Sequence, residues 1–244
     1  MYVLGISGSP TNGSNTDRLV QAMMSSTGAE RQEFVKLSDI QVGPCRAHLK
    51  CTETNRCDIE DDFQELSRKV LRADALVLGT PTFYNGPTSF MRAFIERCYS
   101  LRHQRLLLKG KLCAIIAVGT STEQAVADWM GKVMVAEGLE VVGSLAVKGS
   151  MCCMNCGHGK DCAYTIWNTY SKEMTGVDRG IKEAYLPYVE VLPGNIPYQK
   201  GSAEIKASYR DATKERPVMQ RIESLGKMMT TKHDERNKGL VRIG

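Results

Sequence analysis

Two stretches of this chain are apolar without a break, residues 75–79 (ALVLG) and 112–118 (LCAIIAV). A strand that faces water on one side alternates polar and apolar residues, whereas a strand covered on both faces does not need to. Runs of this kind, set between helical patterns, predict a parallel sheet with helices on both sides.

The flanking segments fit that frame. Residues 2–7 form a shorter apolar run, 32–37 a second strand and 140–147 a fifth. Between them, 14–26 carry Leu19, Val20, Met23 and Met24 at helical spacing. Residues 59–71 place Ile59, Phe63, Leu66 and Val70 on one stripe, with acidic residues at the start, where the helix dipole favours them. Residues 87–101 predict a helix with Pro87 in its first turn, and 124–137 another. Five strands alternating with helices predict an α/β fold with a doubly wound sheet in the order 2-1-3-4-5. The pattern breaks over 148–215, which reads as a Cys-rich insertion, and resumes over 216–231 with Met219, Ile222, Leu225 and Met229 as the last helix of the sheet domain. Residues 232–244 read as a loose basic tail.

Composition excludes several classes. Hydrophobic residues at 42% and charged residues at 24% are ordinary for a folded globular chain. No stretch of about 18 apolar residues is present, so no membrane span is expected. The start, MYVLGISGSP, lacks the basic segment of a secretory signal, and a cytoplasmic location is expected. Net charge is +5, most of it from the last 44 residues, which hold ten basic and six acidic side chains. Only Tyr209 accompanies them as an aromatic, so no nucleic-acid surface is expected.

In doubly wound sheets, ligands bind beyond the carboxyl ends of the strands. Loop one runs Ser7-Gly8-Ser9-Pro10-Thr11-Asn12-Gly13-Ser14-Asn15-Thr16 into a helix. Free amides, the positive end of the dipole and several hydroxyls suit a phosphate there. Neither a Walker A motif nor GxGxxG is present, so a monophosphate is favoured over a dinucleotide or triphosphate. The same residue types also serve as an N-cap and turn. Loop three, 80–89, sets Phe83 and Tyr84 between Pro81 and Gly86, which suits a flat ring or a packed aromatic turn. Loop four, 119–124, offers amides and hydroxyls to a heterocycle edge, or caps the next helix.

The runs GISGSPTNGSNTDRL and ADALVLGTPTFYNGPTSFMRAFIER resemble the flavodoxin-like NADPH-dependent FMN reductases. A cysteine group after strand two, followed by an acidic helix, resembles their iron–sulfur flavoprotein branch. The resemblance spans 1–147 and returns at 216–231. It implies a flavodoxin-like fold and FMN. By matching position, Ser9, Ser14, Asn15 and Thr16, with Ser7 at the strand end, would hold the phosphate. Pro81, Thr82, Phe83, Tyr84, Asn85 and Gly86 would line the isoalloxazine, with Gly119 and Thr120 at its other edge.

Seven of the nine cysteines fall into two groups. Grouped thiols in a chain without a secretory signal point to metal or redox work. The first group is Cys45-x2-His48-x2-Cys51-x5-Cys57. The branch carries four cysteines at this place, and here the second is His48. Three readings stand: His48 is the fourth ligand, a fourth cysteine comes from elsewhere, or the cluster is lost. The second group is Cys152, Cys153, Cys156 and Cys162, with His158 as a spare candidate. Adjacent Cys152 and Cys153 rarely bind one metal together, because their side chains diverge. A 4Fe-4S cluster and structural zinc both accept such ligands. With strands two and five at opposite edges, four spacings of about 4.8 Å put the groups roughly 19 Å apart within one subunit. Both groups would lie on the flavin side of the sheet. Cys98 and Cys113 read as buried apolar fillers.

The resulting expectation is an FMN-dependent oxidoreductase that passes electrons between an iron–sulfur cluster and FMN, with no protein nucleophile or base. The resemblance implies ferredoxin or NAD(P)H as donor, a small molecule or protein as acceptor, and a homodimer or homotetramer. One alternative is an NAD(P)H-dependent flavin or quinone reductase with zinc or no metal. Another is a redox-sensing binding module.

Overall fold

The computed structural model describes residues 1–149 and 210–241, with side chains through 239. All of them but Arg210 belong to one unit, drawn from Met1–Gly149 and Asp211–Gly244. The strands are β1 (Tyr2–Ser7), β2 (Arg31–Lys36), β3 (Ala75–Phe83), β4 (Gly86–Pro87), β5 (Leu112–Gly119) and β6 (Glu140–Lys148). The helices are α1 (Asn15–Ser26), α2 (Cys51–Thr54), α3 (Phe63–Arg72), α4 (Ser89–Cys98), α5 (Glu123–Ala136) and α6 (Arg216–Val241).

The sheet runs β2-β1-β3-β5-β6, all pairs parallel, with β4 turned back antiparallel on the end of β3. That is the expected doubly wound order, with two-residue β4 inserted in the numbering. Successive strand residues point to opposite faces, which explains the continuous apolar runs. Leu76, Leu78, Cys113, Ile115 and Ala117 join a core with residues of α3, α4 and α5. Val77, Ala114, Ile116 and Val118 join another with Leu19 and Met23 of α1 and Ile222, Leu225 and Met229 of α6. Each fully buried Leu, Ile or Met contributes about 1.5–3 kcal/mol relative to exposure, so both faces drive the fold. Cys98 and Cys113 are buried in the first core, where burial pushes the Cys113 thiol up to about 12. They are fillers there.

Strand β3 runs past the expected 75–79 to Phe83, and three other boundaries differ from expectation for a physical reason. The helix expected from 59 starts at Phe63. Asp61 and Asp62 instead bind loop amides: Gly43 N donates to Asp61 Oδ2 at 3.0 Å and Gln41 N to Asp62 Oδ2 at 2.7 Å. Pro87 lies in β4 rather than in a helical turn. Tyr84 and Asn85 adopt left-handed backbone (φ 47° and 62°) and close a tight hairpin, after which Thr88 caps α4. The last helix does not stop at 231 but runs to Val241. Lys232 and Arg236 pair with Glu140 on edge strand β6, and Arg236 also donates to Gly110 O. These bonds anchor what charge alone marked as a loose tail. The chain also rejoins the sheet unit before 216: Ala212 is buried, and its N–H donates to Asn15 Oδ1 at 2.9 Å.

Candidate functional site

Loops one, three and four lie at the carboxyl ends of β1, β3 and β5, as such a sheet requires. Loop one is built by its own side chains. Ser14 caps α1 in a reciprocal box: Asp17 N donates to Ser14 Oγ at 3.1 Å, and Ser14 N to Asp17 Oδ2 at 3.3 Å. Ser7 Oγ donates to Asp17 Oδ1 at 2.6 Å. Lys36 Nζ, at the end of β2, donates to Asp17 Oδ2 at 2.8 Å and to Thr11 O at 2.9 Å. Asn15 Oδ1 accepts from Ala212 N and from Arg18 Nη2, both at 2.9 Å. Ser9 Oγ accepts from Thr11 N at 3.3 Å, and Thr16 is buried. The side chains of Ser7, Ser14 and Asn15 thus shape the loop. What the loop offers a ligand is its small-residue crown and the positive end of the α1 dipole.

Loops one and three are locked together. Gly8 N donates to Gly79 O at 2.8 Å, Thr88 Oγ1 to Gly8 O at 2.7 Å, and Thr88 N to Thr80 Oγ1 at 3.1 Å. A Cβ on Gly8 would come within 2.8 Å of Met91 Cβ, so only glycine allows this approach. Beyond the lock, Phe83 is half exposed and Tyr84 is 95% exposed at the hairpin tip. Among the described residues, the hairpin presents Tyr84 to solvent, while Phe83 is about half covered.

Loop four meets loop three at Gly119, where a Cβ would fall 2.3 Å from Thr82 Oγ1. Beneath it lies Glu123, 6% exposed. Its Oε1 pairs with Lys148 Nζ at 2.6 Å, and that amine also donates to Thr120 O at 3.1 Å. Glu123 Oε2 is buried and has no partner among the described residues.

The first cysteine group forms a second feature. Cys45, His48, Cys51 and Cys57 all line one cavity of about 90 Å³, together with Glu96 and Arg97 of α4. The backbone there is unusual, with Ala47, Leu49 and Asn55 at φ 53°, 60° and 54°. Non-glycine residues in this region cost energy and concentrate at functional sites. His48 Nδ1 lies 3.2 Å from both carboxylate oxygens of Asp58. Burial, then the neighbouring Cys57, Cys45 and Asp58, push the Cys51 thiol up. Ala47 N donates to Cys45 Sγ at 3.4 Å and Arg97 Nε to Cys57 Sγ at 3.2 Å. Among the described residues, no three His, Cys, Asp or Glu side chains are already gathered about a single ion.

Arg97 supports this cavity from below. Its side chain is fully buried, with Nη1 and Nη2 at 2.6 and 2.9 Å from Asp61 and its guanidinium 4.6 Å from the Phe63 ring centre. Burial alone pushes the Asp61 carboxyl up, but hydrogen bonds from Arg97 and from the amides of Gly43 and Phe63 outweigh it and hold the carboxyl below its ordinary value. Arg97 stands eight residues after Ser89, about 12 Å along α4 from loop three at 1.5 Å per residue. The cysteine cavity is therefore at the far end of α4 from loop three. The second group, Cys152, Cys153, Cys156 and Cys162, lies outside the described residues.

Sequence reading located the loops and the cysteine cavity but missed Asp17, Lys36, Thr88, Glu123, Asp58, Asp61 and Arg97. Two carried a signal. Asp17 completes a capping pattern with Ser14, and Arg97 interrupts an apolar helical face made by Met91, Phe94, Ile95 and Cys98.

The family model of NADPH-dependent FMN reductases matches residues 1–149. An iron–sulfur flavoprotein of Methanocaldococcus jannaschii is 34% identical over 123 residues, or 50% of this chain and 63% of that protein. The chain thus spans less than two thirds of that relative's length. An iron–sulfur flavoprotein of Methanosarcina thermophila is 31% identical over 140 residues, 53% of this chain and 73% of that one. Among solved structures, RosB superposes with a TM-score of 0.57 at 14% identity, covering 96% of this chain and 81% of its own, which shows a shared fold. Loop positions, strand order and these matches agree: the chain belongs to the flavodoxin-like NADPH-dependent FMN reductase family, in the branch of the iron–sulfur flavoproteins.

Proposed function

We propose that this protein is an FMN-dependent oxidoreductase in which an iron–sulfur cluster and FMN exchange electrons. When bound, flavin takes two electrons and releases them singly, and a cluster passes one at a time. The observation that supports the cluster is that Cys45, His48, Cys51 and Cys57 line one cavity. Cys45, Cys51 and Cys57 supply thiolates, and His48 is the fourth ligand. Asp58 engages His48 Nδ1, the carboxylate–histidine arrangement that orients a metal-binding imidazole and leaves Nε2 for the metal. That relatives of this chain are iron–sulfur flavoproteins supports the presence of a cluster. Cys152, Cys153, Cys156 and Cys162 are the candidates for a second site, in the insertion after β6.

FMN fits the three loops. The first-turn amides of α1 and the crown of loop one take the phosphate. Thr82, Phe83, Tyr84 and Asn85 flank the ring, and Gly119 and Thr120 meet its other edge. Glu123 Oε2 is a buried acceptor without a partner beside Gly119. A ring N–H of the isoalloxazine is a donor of the kind that would satisfy it.

Ferredoxin or NAD(P)H as donor, a small molecule or protein as acceptor, assembly as a homodimer or homotetramer and a cytoplasmic location belong to the same reading. No described helix is long and apolar enough to cross a membrane. The family match over residues 1–149 favours a second reading, direct flavin reduction by NADPH with zinc or no metal in the cysteine cavity.

The deciding experiment is flavin, iron, acid-labile sulfide and zinc content per chain in protein purified without oxygen. One FMN with about four irons and four sulfides per cluster establishes the first reading. FMN with zinc or no metal, reduced rapidly by NADPH, establishes the second. Protein without flavin overturns both.

A further inference from the structure

Arg97 places a full positive charge inside the apolar face of α4, where Met91, Phe94 and Cys98 pack. A guanidinium has five N–H donors. Its terminal nitrogens are spent on Asp61, on Gly43 O at 3.1 Å and on Ile59 O at 3.4 Å. The remaining donor, Nε–H, is directed at Cys57 Sγ, 3.2 Å away. One carboxylate alone would have been met by the fork of Arg97. The fifth bond singles out Cys57.

We infer that Arg97 is a positioning residue for the iron–sulfur centre: it fixes Cys57 Sγ as a ligand and raises the reduction potential of the cluster. The inference rests on the cluster reading above. Reduction adds one electron to the cluster from a one-electron reductant such as dithionite, with no bond made or broken at Cys57. The added negative charge falls on a sulfur that already accepts the Nε–H bond, while the charge of Arg97 is offset by Asp61. Hydrogen bonds to cluster sulfurs and local charge set such potentials, and the low-dielectric interior strengthens both. The reduced state gains more than the oxidised one, and the potential rises.

The test uses the whole protein with its native cofactors. Arg97→Lys keeps the charge and loses the Nε donor. The pair Arg97→Gln with Asp61→Asn removes both charges together, so that neither is left buried alone. Both variants are expected to retain iron and to require about a tenfold higher reduced-to-oxidised driving ratio, a midpoint lower by about 59 mV for a one-electron couple. In the native protein grown with isotopically labelled arginine, pulsed EPR of the reduced cluster is expected to show coupling to an arginine nitrogen. An unchanged midpoint in an iron-loaded variant, or no arginine coupling, overturns the inference while leaving the cluster reading intact. Native protein without iron overturns the cluster reading first, and is seen before any variant is made.

Discussion

Lys36 Nζ and Asp17 Oδ2 stand 2.8 Å apart, with side chains only 7% and 5% exposed. This one pair joins the end of β2 to the first turn of α1. Through the bonds of Asp17 to Ser7 and Ser14, and of Lys36 to Thr11 O, it holds the whole of loop one. Lys36→Met would leave the Asp17 carboxylate buried without its cation. The expected cost is about 3–5 kcal/mol, read as a lower urea midpoint. FMN affinity, followed by flavin fluorescence titration, is expected to fall at least tenfold. Unchanged affinity would show that the loop keeps its shape without the pair.

Gly119→Ala tests the contact between loops three and four. The new methyl would fall 2.3 Å from Thr82 Oγ1 and 3.1 Å from Glu123 Oε2. Overpacking of this kind costs about 1–3 kcal/mol. The expected outcome is a modest loss of thermal stability with a larger loss of FMN retention on gel filtration.

Tyr84→Ala separates binding from folding. Tyr84 is 95% exposed, so stability is expected to change by less than about 0.5 kcal/mol. Flavin affinity is expected to drop if the ring lies against this hairpin. Equal flavin affinity in the variant would remove Tyr84 from the site.

The Asp61–Arg97 pair gives a pH signature. Hydrogen bonds hold the Asp61 carboxyl below its ordinary value in the folded protein. A group depressed on folding stabilises above its unfolded pKa, about 3.9 for Asp, and that contribution disappears as pH falls through the folded value. Asp61→Asn is therefore expected to be less stable than the native protein by about 3–5 kcal/mol near pH 7. The gap should narrow steadily below about pH 4. Urea midpoints of both proteins across that range check it, and a gap independent of pH would contradict the assignment.

Much of this architecture was legible beforehand. The apolar runs at 75–79 and 112–118 and the helical stripes between them carried the layers, because burial on two faces leaves a local, periodic imprint on composition. The loops at the strand ends and the cysteine spacing were likewise local patterns. Less legible was the division of labour inside loop one. Ser7, Ser14 and Asn15 read as phosphate ligands because hydroxyls and amides suit both roles, and only the position of Asp17, Lys36 and Ala212 shows them turned inward.

The sequence by itself determined the layers and the three loops, since each follows from residues near one another in the chain, and the strand order followed from the general rule for such alternation. Tertiary structure alone decided the long-range pairs: Lys36 on Asp17, Arg97 between Asp61 and Cys57, Lys232 and Arg236 on Glu140. A charge carries no periodicity that names its partner. Whether it meets solvent or a buried counter-charge depends on which elements the fold brings together, and that is settled only when the whole sheet has closed.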